Sequence, residues 1–349
     1  MSVRYIGSKA RVAQDLASHI GKPTGRDGEF VDAFCGTGVV AEVAARNGWS
    51  VHLNDHLRCA TIMAAARLTS ASAARFRKLG GYEAALEKLN RARPRSGFIW
   101  REYSPASAEH GAEVERMYFS EANARRIDGV RAMIAEWAAA GTVCETEERL
   151  LLADLMAAAN RVANIAGTYG CFLSHWLDQA LDSLALRARP LFDRAIGLRV
   201  SNVDVRKVEV AANDLVYLDP PYTKRQYAAY YHILETIAAG DSPIVGGITG
   251  LRPWQEKASD FCYRSRAMRA ITGLVDALPA RRVLLSYSDE GHVPLQPLLA
   301  SLREIGTVKQ VELGTIGRYR PNRAASAARG CVTEHLMVIS RTARVRRAA

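Results

Sequence analysis

One stretch limits what this chain can fold into. Leu215-Val216-Tyr217-Leu218 is an apolar run short enough for a single strand and continuous enough to be buried on both faces, as in a parallel sheet. Asp219-Pro220-Pro221-Tyr222 follows at once. The two prolines end the strand, because each fixes φ and lacks an amide donor, and they stiffen the turn. A carboxylate, a rigidly held carbonyl and an aromatic ring are thereby brought to the C-terminal edge of a sheet. Open α/β sheets bind their ligands at that edge. Taken alone, the tetrapeptide is also compatible with a surface β-turn.

An earlier stretch supplies a second feature of such an edge. Residues 30–38, Phe-Val-Asp-Ala-Phe-Cys-Gly-Thr-Gly, read as a strand and a glycine turn. A helix over 39–47 and a strand over 49–53 come next. The glycines let backbone approach a ligand closely, and the new helix presents unsatisfied amides. Asp55 ends the second strand roughly twenty residues on, where a carboxylate can hold a ribose diol. Asp32 is placed to orient the other end of a nucleotide-like ligand through the turn. The Walker lysine and hydroxyl pair is absent, so phosphate is not required. By pattern alone a nicotinamide-dependent dehydrogenase is the rival. Its turn usually carries a third glycine, where this chain reads Gly38-Val39-Val40-Ala41.

The run Tyr217-Leu218-Asp219-Pro220-Pro221-Tyr222, continuing to Tyr230-Tyr231-His232, resembles the catalytic motif of amino-group methyltransferases. More narrowly it resembles the adenine-N6 DNA methyltransferases. Cofactor motifs come first, a helical stretch follows and the catalytic motif comes last. That order is similar to the alpha group, or D12 class, and the resemblance covers essentially the whole chain. It implies a Rossmann-like α/β fold of the S-adenosylmethionine-dependent kind, with a mostly parallel seven-stranded sheet. Residues 1–56 and 200–349 are expected to form the catalytic domain, and 57–199 a mainly helical target-recognition insertion.

The resemblance also implies roles. Asp219, Pro220, Pro221 and Tyr222 are the catalytic residues. S-adenosylmethionine is the cofactor, and no metal is needed. Tyr5, Gly7 and Lys9 match an opening aromatic-x-Gly-x-Lys segment at the cofactor's methionine end, with Lys9 also within reach of the target. Asp32, Phe34, Gly36, Thr37, Gly38, Asp55, Asp204 and Asp219 complete the expected cofactor set. Asp204 would recognise the cofactor's adenine, although Asp is equally a common helix cap. The partner is a specific double-stranded DNA sequence, with an independently acting restriction endonuclease as a companion. The setting expected is prokaryotic cytoplasm near the nucleoid, or a phage-encoded origin.

The chemistry asks little of acids or bases. An exocyclic amino nitrogen shares its lone pair with the ring and is a poor nucleophile. Two acceptors on its hydrogens localise and aim that pair. Asp219 supplies one, and the Pro220 carbonyl, held by the Pro-Pro step, supplies the other. Tyr222 offers a face for a base that has left the duplex. Cys35 is not read as a nucleophile. Carbon-5 cytosine enzymes resemble one another in a Pro-Cys pair, which this chain lacks, so Cys35 is a small filler of the turn.

The remaining features bear on DNA. The formal charge of +11 suits a polyanion without identifying one. The six cysteines form no Cys-x-x-Cys and no metal-ligand spacing with histidine. No signal peptide or membrane span is evident, so a soluble intracellular protein is expected. Helices are expected over 10–20 with Ser8 as cap, and over 60–66, 82–89, 126–140, 147–162 and 269–278. Strands are expected over 282–288, 308–314 and 331–340, the last two as a hairpin. Residues 91–97 form a basic strip, and 246–253 read as a mobile glycine-rich loop with Arg252 and Lys257 as DNA contacts. Tyr169, Lys224, Arg225 and Tyr230 are placed near the target base, and Arg318, Arg320 and Arg323 in a basic hairpin loop. Each could equally serve packing or solvation. Cytosine-N4 methylation, RNA base methylation and a non-catalytic DNA-binding module are the alternatives.

Overall fold

The computed structural model of the protein describes residue 7, residues 9–317 and residues 331–341. These residues divide into two compact units.

One unit contains Gly7–His56, Ile196–Gln226 and the described part of Ala258–Ala349. Its strands are β1 (Phe30–Asp32), β2 (Val51–Asn54), β3 (Leu198–Ser201), β4 (Leu215–Leu218), β5 (Arg282–Ser288), β6 (Thr307–Gly317) and β7 (Cys331–Ser340). They form one seven-stranded sheet in the order β3-β2-β1-β4-β5-β7-β6. The first five are parallel, and β7 runs antiparallel to both of its neighbours. The mostly parallel seven-stranded sheet expected from the sequence is the one observed.

Burial explains the apolar run at β4. Val216 and Leu218 pack with Val31, Val283 and Leu285 on one face, while Leu215 and Tyr217 pack with Phe30, Trp49 and Leu284 on the other. Side chains alternate with period two, so only a strand covered on both faces reads as unbroken apolar sequence. β3 escaped sequence reading for the same reason. Its Leu-Arg-Val-Ser residues lie at the sheet edge and are only half-buried. The helix Leu295–Ile305, which seats Leu298, Leu299 and Leu302 in the core, was also not expected.

The N-terminal helix is shorter than the sequence suggested. Lys9–Arg11 is a 3₁₀ turn and the α-helix runs Ala13–Ile20, with Val12 at its N-cap. Ser8, the expected cap, lies outside the described residues.

The other unit contains Leu57–Ala195 and Tyr227–Lys257. It therefore takes in residues that follow the catalytic motif in sequence. Helices Arg58–Arg67, Glu121–Ala139, Glu145–Arg161 and His232–Ala239 bury a shared core that includes Ile62, Phe119, Ile134, Leu151, Leu155 and Ile237. The expected helix over 126–140 starts earlier, where the Ser120 hydroxyl accepts the Asn123 amide at 3.3 Å.

The glycine-rich stretch is not the loose loop that its composition suggested. Gly246 and Leu251 form an antiparallel bridge. The Arg116 guanidinium donates to the Gly247 and Ile248 carbonyls at 3.1 and 3.3 Å. The Tyr118 and Tyr103 hydroxyls donate to the Thr249 and Gly250 carbonyls, both at 3.1 Å. Glycine frees backbone in the unfolded chain, but four anchored carbonyls in a row fix it here.

Candidate active site

The site builds from the ends of β1, β2 and β4. After β1 the chain turns through Gly36 (φ 49°) and Gly38 (φ 75°) into the helix Val39–Arg46. Residues with a Cβ rarely adopt such angles, so glycine is required at both. The turn is held from β2. The Cys35 amide donates to the Asn54 carbonyl at 2.9 Å, and the Gly36 amide to Asp55 Oδ2 at 3.1 Å. Asn54 is buried, and its side-chain amide donates to the Ala33 and Val203 carbonyls, each at 3.2 Å. Asp32 ends β1 fully buried, and its Oδ1 has no hydrogen-bond partner among the described residues. Burial, with the Asp219 and Asp55 carboxylates adding to it, pushes its carboxyl well above the usual range.

The turn after β4 is held as firmly. The His292 amide donates to the Tyr222 carbonyl at 2.9 Å. Gln226 and Ser259 exchange two hydrogen bonds, Nε2 to the Ser259 carbonyl at 3.3 Å and the Ser259 amide to Oε1 at 2.9 Å. The Tyr222 ring meets Tyr287 of β5 edge-on, with centroids 5.6 Å apart. Strands β1 and β4 are adjacent, and past their last paired residues the Ala33 amide donates to the Tyr217 carbonyl at 3.1 Å. The glycine turn and the Asp219 turn thus leave the sheet side by side.

The charged centre is a trio, with Lys9 and Glu334 buried and Asp219 partly so. Lys9 Nζ lies 3.1 Å from Asp219 Oδ1 and 3.0 Å from Glu334 Oε2. The Tyr222 hydroxyl donates to Glu334 Oε1 at 3.0 Å. Burial opposes the Lys9 charge, but the Asp219 and Glu334 carboxylates outweigh it and hold the ammonium above its ordinary range. Burial raises the Asp219 carboxyl to about 6, with Lys9 opposing and Glu334 adding to the rise. Tyr222 is pushed up by burial and by the Glu334 and Asp219 charges, so its hydroxyl stays a donor.

The structure separates the residues expected at the site. Lys9, Asp32, Asp55, Asp219 and Tyr222 come together as described. Phe34 is half-buried, edge-on to Phe261 with centroids 5.5 Å apart. Asp204 caps the turn Val205–Lys207, its Oδ1 accepting the Arg206 amide at 2.9 Å. Arg206 also bonds Asp260 at 2.7 Å. Lys224 is exposed and Arg225 half-buried on the segment after Tyr222.

Tyr169, Tyr230 and Arg252 belong to the helical unit. Tyr169 is enclosed in its core, which leaves no ring face for a base. The backbone carbonyl of Tyr230 accepts the Tyr169 amide at 3.0 Å. Arg252 is paired with Asp241 at 2.7 Å, and Lys257 with Glu235 at 2.6 Å. In the basic strip Arg95 pairs with Glu136 at 2.7 Å. Tyr5, Arg318, Arg320 and Arg323 lie outside the described residues.

Sequence reading missed Glu334. The available signal was an acid in β7 just ahead of its apolar run, Leu336-Met337-Val338-Ile339. A strand pairing on both edges rarely buries a carboxylate without a partner.

A doubly wound sheet in this strand order, with its antiparallel seventh strand, is the Rossmann-like fold of S-adenosylmethionine-dependent methyltransferases. Within that class, residues 5–292 match the model of the D12 class N6 adenine-specific DNA methyltransferases, and the chain belongs to that family. It is 35% identical over 296 residues to the Type II methyltransferase M.FokI of Planomicrobium okeanokoites, covering 83% of this chain and 45% of that protein. It is 31% identical over 321 residues to the modification methylase StsI of Streptococcus sanguinis, covering 90% and 48%. It is 31% identical over 321 residues to the Type II methyltransferase M.NlaIII of Neisseria lactamica, covering 91% and 89%. The chain thus spans about half the length of the first two relatives and most of the third. Family membership implies S-adenosylmethionine as methyl donor.

Proposed function

We propose that the chain methylates adenine N6 within a specific double-stranded DNA sequence. The observation that carries this is the adjacency of the two turns, which puts acceptors for an amino group beside a cradle for a nucleoside-bearing cofactor. The residues fit that cofactor. Among the described residues the buried Asp32 Oδ1 lacks a partner in a site otherwise rich in hydrogen bonds, and two positive-φ glycines bring bare backbone to the ligand edge. Asp32 would face the amino-acid end, with Lys9 and Gly7 of the N-terminal segment as further candidates there. Asp55 would hold the ribose, and Phe34 and Asp204 the adenine.

When bound, S-adenosylmethionine supplies an electrophilic methyl group on a sulfonium. Asp219 and the Pro220 carbonyl accept the two amino hydrogens and turn the N6 lone pair toward that methyl. Pro221 fixes the carbonyl, and Tyr222 stacks on the flipped base. Transfer would break the donor's methyl–sulfur bond as the N–C bond forms on N6, leaving S-adenosylhomocysteine, and the proton that N6 sheds would pass to solvent or to Asp219. Lys224 and Arg225 would meet phosphates, which position DNA without reading it. Sequence reading falls to the helical unit. A restriction endonuclease sparing the methylated sequence fits as an independent partner.

Expression in a host without adenine methylation, followed by modification-sensitive sequencing and mass analysis of nucleosides, tests this. N6-methyladenine at one sequence is expected. N4-methylcytosine would overturn the adenine assignment and leave the fold and cofactor reading intact.

Two further outcomes are expected. Asp55→Ala should weaken cofactor binding by about 1–3 kcal/mol, the scale of hydrogen bonds to a charged group, and unchanged affinity by calorimetry would remove Asp55 from the site. The pH profile has a definite sign. Asp219 must be ionised to accept and to offset positive charge growing on N6, and its carboxyl titrates at about 6. The ratio kcat/KM should therefore fall as pH drops through about 6, and this limb should be absent from Asp219→Asn.

A further inference from the structure

The proposed transfer makes two demands that Asp219 and Tyr222 do not meet alone, and the inference rests on that reading. Asp219 must accept an amino hydrogen while Lys9 Nζ, 3.1 Å from Oδ1, competes for the same carboxylate. The Tyr222 ring must also hold still while a base stacks on it. One residue answers both. Glu334 stands on β7 opposite Ser288 of β5 and is 4% exposed. Its Oε1 accepts the Tyr222 hydroxyl and its Oε2 accepts from Lys9, both at 3.0 Å.

We propose that Glu334 is a positioning residue for methyl transfer, fixing the Tyr222 ring with one oxygen and keeping the Lys9 ammonium with the other when an amino group takes its place at Asp219. A neutral amino group cannot easily displace an ammonium from its sole buried carboxylate, because the bare charge left behind is costly. With two carboxylates sharing one ammonium, Lys9 retreats from Asp219 without losing a charged partner. The ring gains a fixed tilt from the same group, since the hydroxyl is tethered at one edge and Tyr287 abuts the ring. Lys9 itself lies 5.3 Å from the ring centroid, so its position and that of the ring are linked.

Among the described residues, the titratable groups that act on Asp219 come from several elements. They are Lys9 from the N-terminal turn, Asp32 from β1, Tyr217 from β4, Tyr222 from its own turn and Glu334 from β7. Of these only Lys9 is cationic. Removing the Glu334 charge therefore ends a repulsion and leaves Lys9 to Asp219 alone, and both changes favour ionised Asp219.

Glu334→Gln tests this with little change of volume. Its kcat is expected to fall about tenfold to a hundredfold. The acid limb of kcat/KM should move to lower pH by about 1. A purely structural role would lower activity without moving the limb. The Asp219 carboxyl carbon, labelled with ¹³C and located by its loss in Asp219→Asn, should shift its titration the same way, with no turnover required. Tyr222→Phe removes only the tethered hydroxyl, so it probes the second oxygen in a chain that keeps Glu334. Its kcat should fall, and the double variant should lose less than the product of the two single losses. An unmoved Asp219 titration in Glu334→Gln overturns the proposal, as does wild-type kcat in Tyr222→Phe. A wild-type protein that transfers no methyl to adenine overturns the functional reading instead, and the carbon titration still decides the link between Glu334 and Asp219.

Discussion

Asp219→Asn is expected to slow single-turnover methyl transfer by about a hundredfold or more, the scale of a lost transition-state interaction. The substitution keeps shape and removes charge. Its amide has one acceptor oxygen, and Lys9 already lies within 3.1 Å of Oδ1. If the oxygen stays with Lys9, the NH₂ group faces the substrate amino group, donor against donor. Lys9 keeps Glu334 as its charged partner, so the fold around it should survive. Cofactor affinity should change little, because the glycine turn is anchored by Asn54 and Asp55 rather than by Asp219. Rates are to be measured on a duplex carrying the target sequence, with the product nucleoside identified by mass. A near-normal rate would sink the mechanism.

Tyr222→Ala should lose both target-base binding and rate. Stacking is worth about 1–3 kcal/mol per base, and the structure adds a second loss. Without the ring, Glu334 Oε1 lacks its hydroxyl and Tyr287 lacks its edge-on neighbour. The variant should therefore fall below what stacking alone accounts for, while Tyr222→Phe stays milder. Fluorescence of 2-aminopurine at the target position reports base extrusion apart from chemistry. Unchanged fluorescence and rate would show that the base stacks elsewhere.

What the sequence disclosed follows from how strongly each element is punctuated. β1 and β4 are short apolar runs ended by Gly-Thr-Gly and Pro-Pro, and their side-by-side turns follow from that grammar. β3 is an edge strand with an arginine in it, and nothing in Leu198-Arg199-Val200-Ser201 separates it from a loop. Asp204 illustrates a different limit. A short acid that caps a turn and one that binds a ligand look alike in sequence, and the cap that Asp204 makes with one oxygen does not bar the other from a ligand. Tyr169 and Arg252 have the residue types of a nucleic-acid surface, yet one ring is enclosed and one guanidinium is paired. Burial and pairing are tertiary facts. Glu334 was hidden for the same reason, since its partners Lys9 and Tyr222 lie far away in sequence.

On a ribosome this pocket is finished late. Domains fold as the chain emerges from its N-terminal end, but β6 has no sheet to join until β7 arrives to seat between it and β5. Lys9 can meet Asp219 earlier, but its second carboxylate lies 325 residues downstream. Loop closure grows only logarithmically with length, so the wait comes from the order of synthesis more than from entropy. Until β7 arrives, β5 is an open edge carrying Val283, Leu284 and Leu285, a template for pairing with other chains. Interrupted synthesis should therefore yield chains that expose this edge and are prone to aggregate before the site is complete.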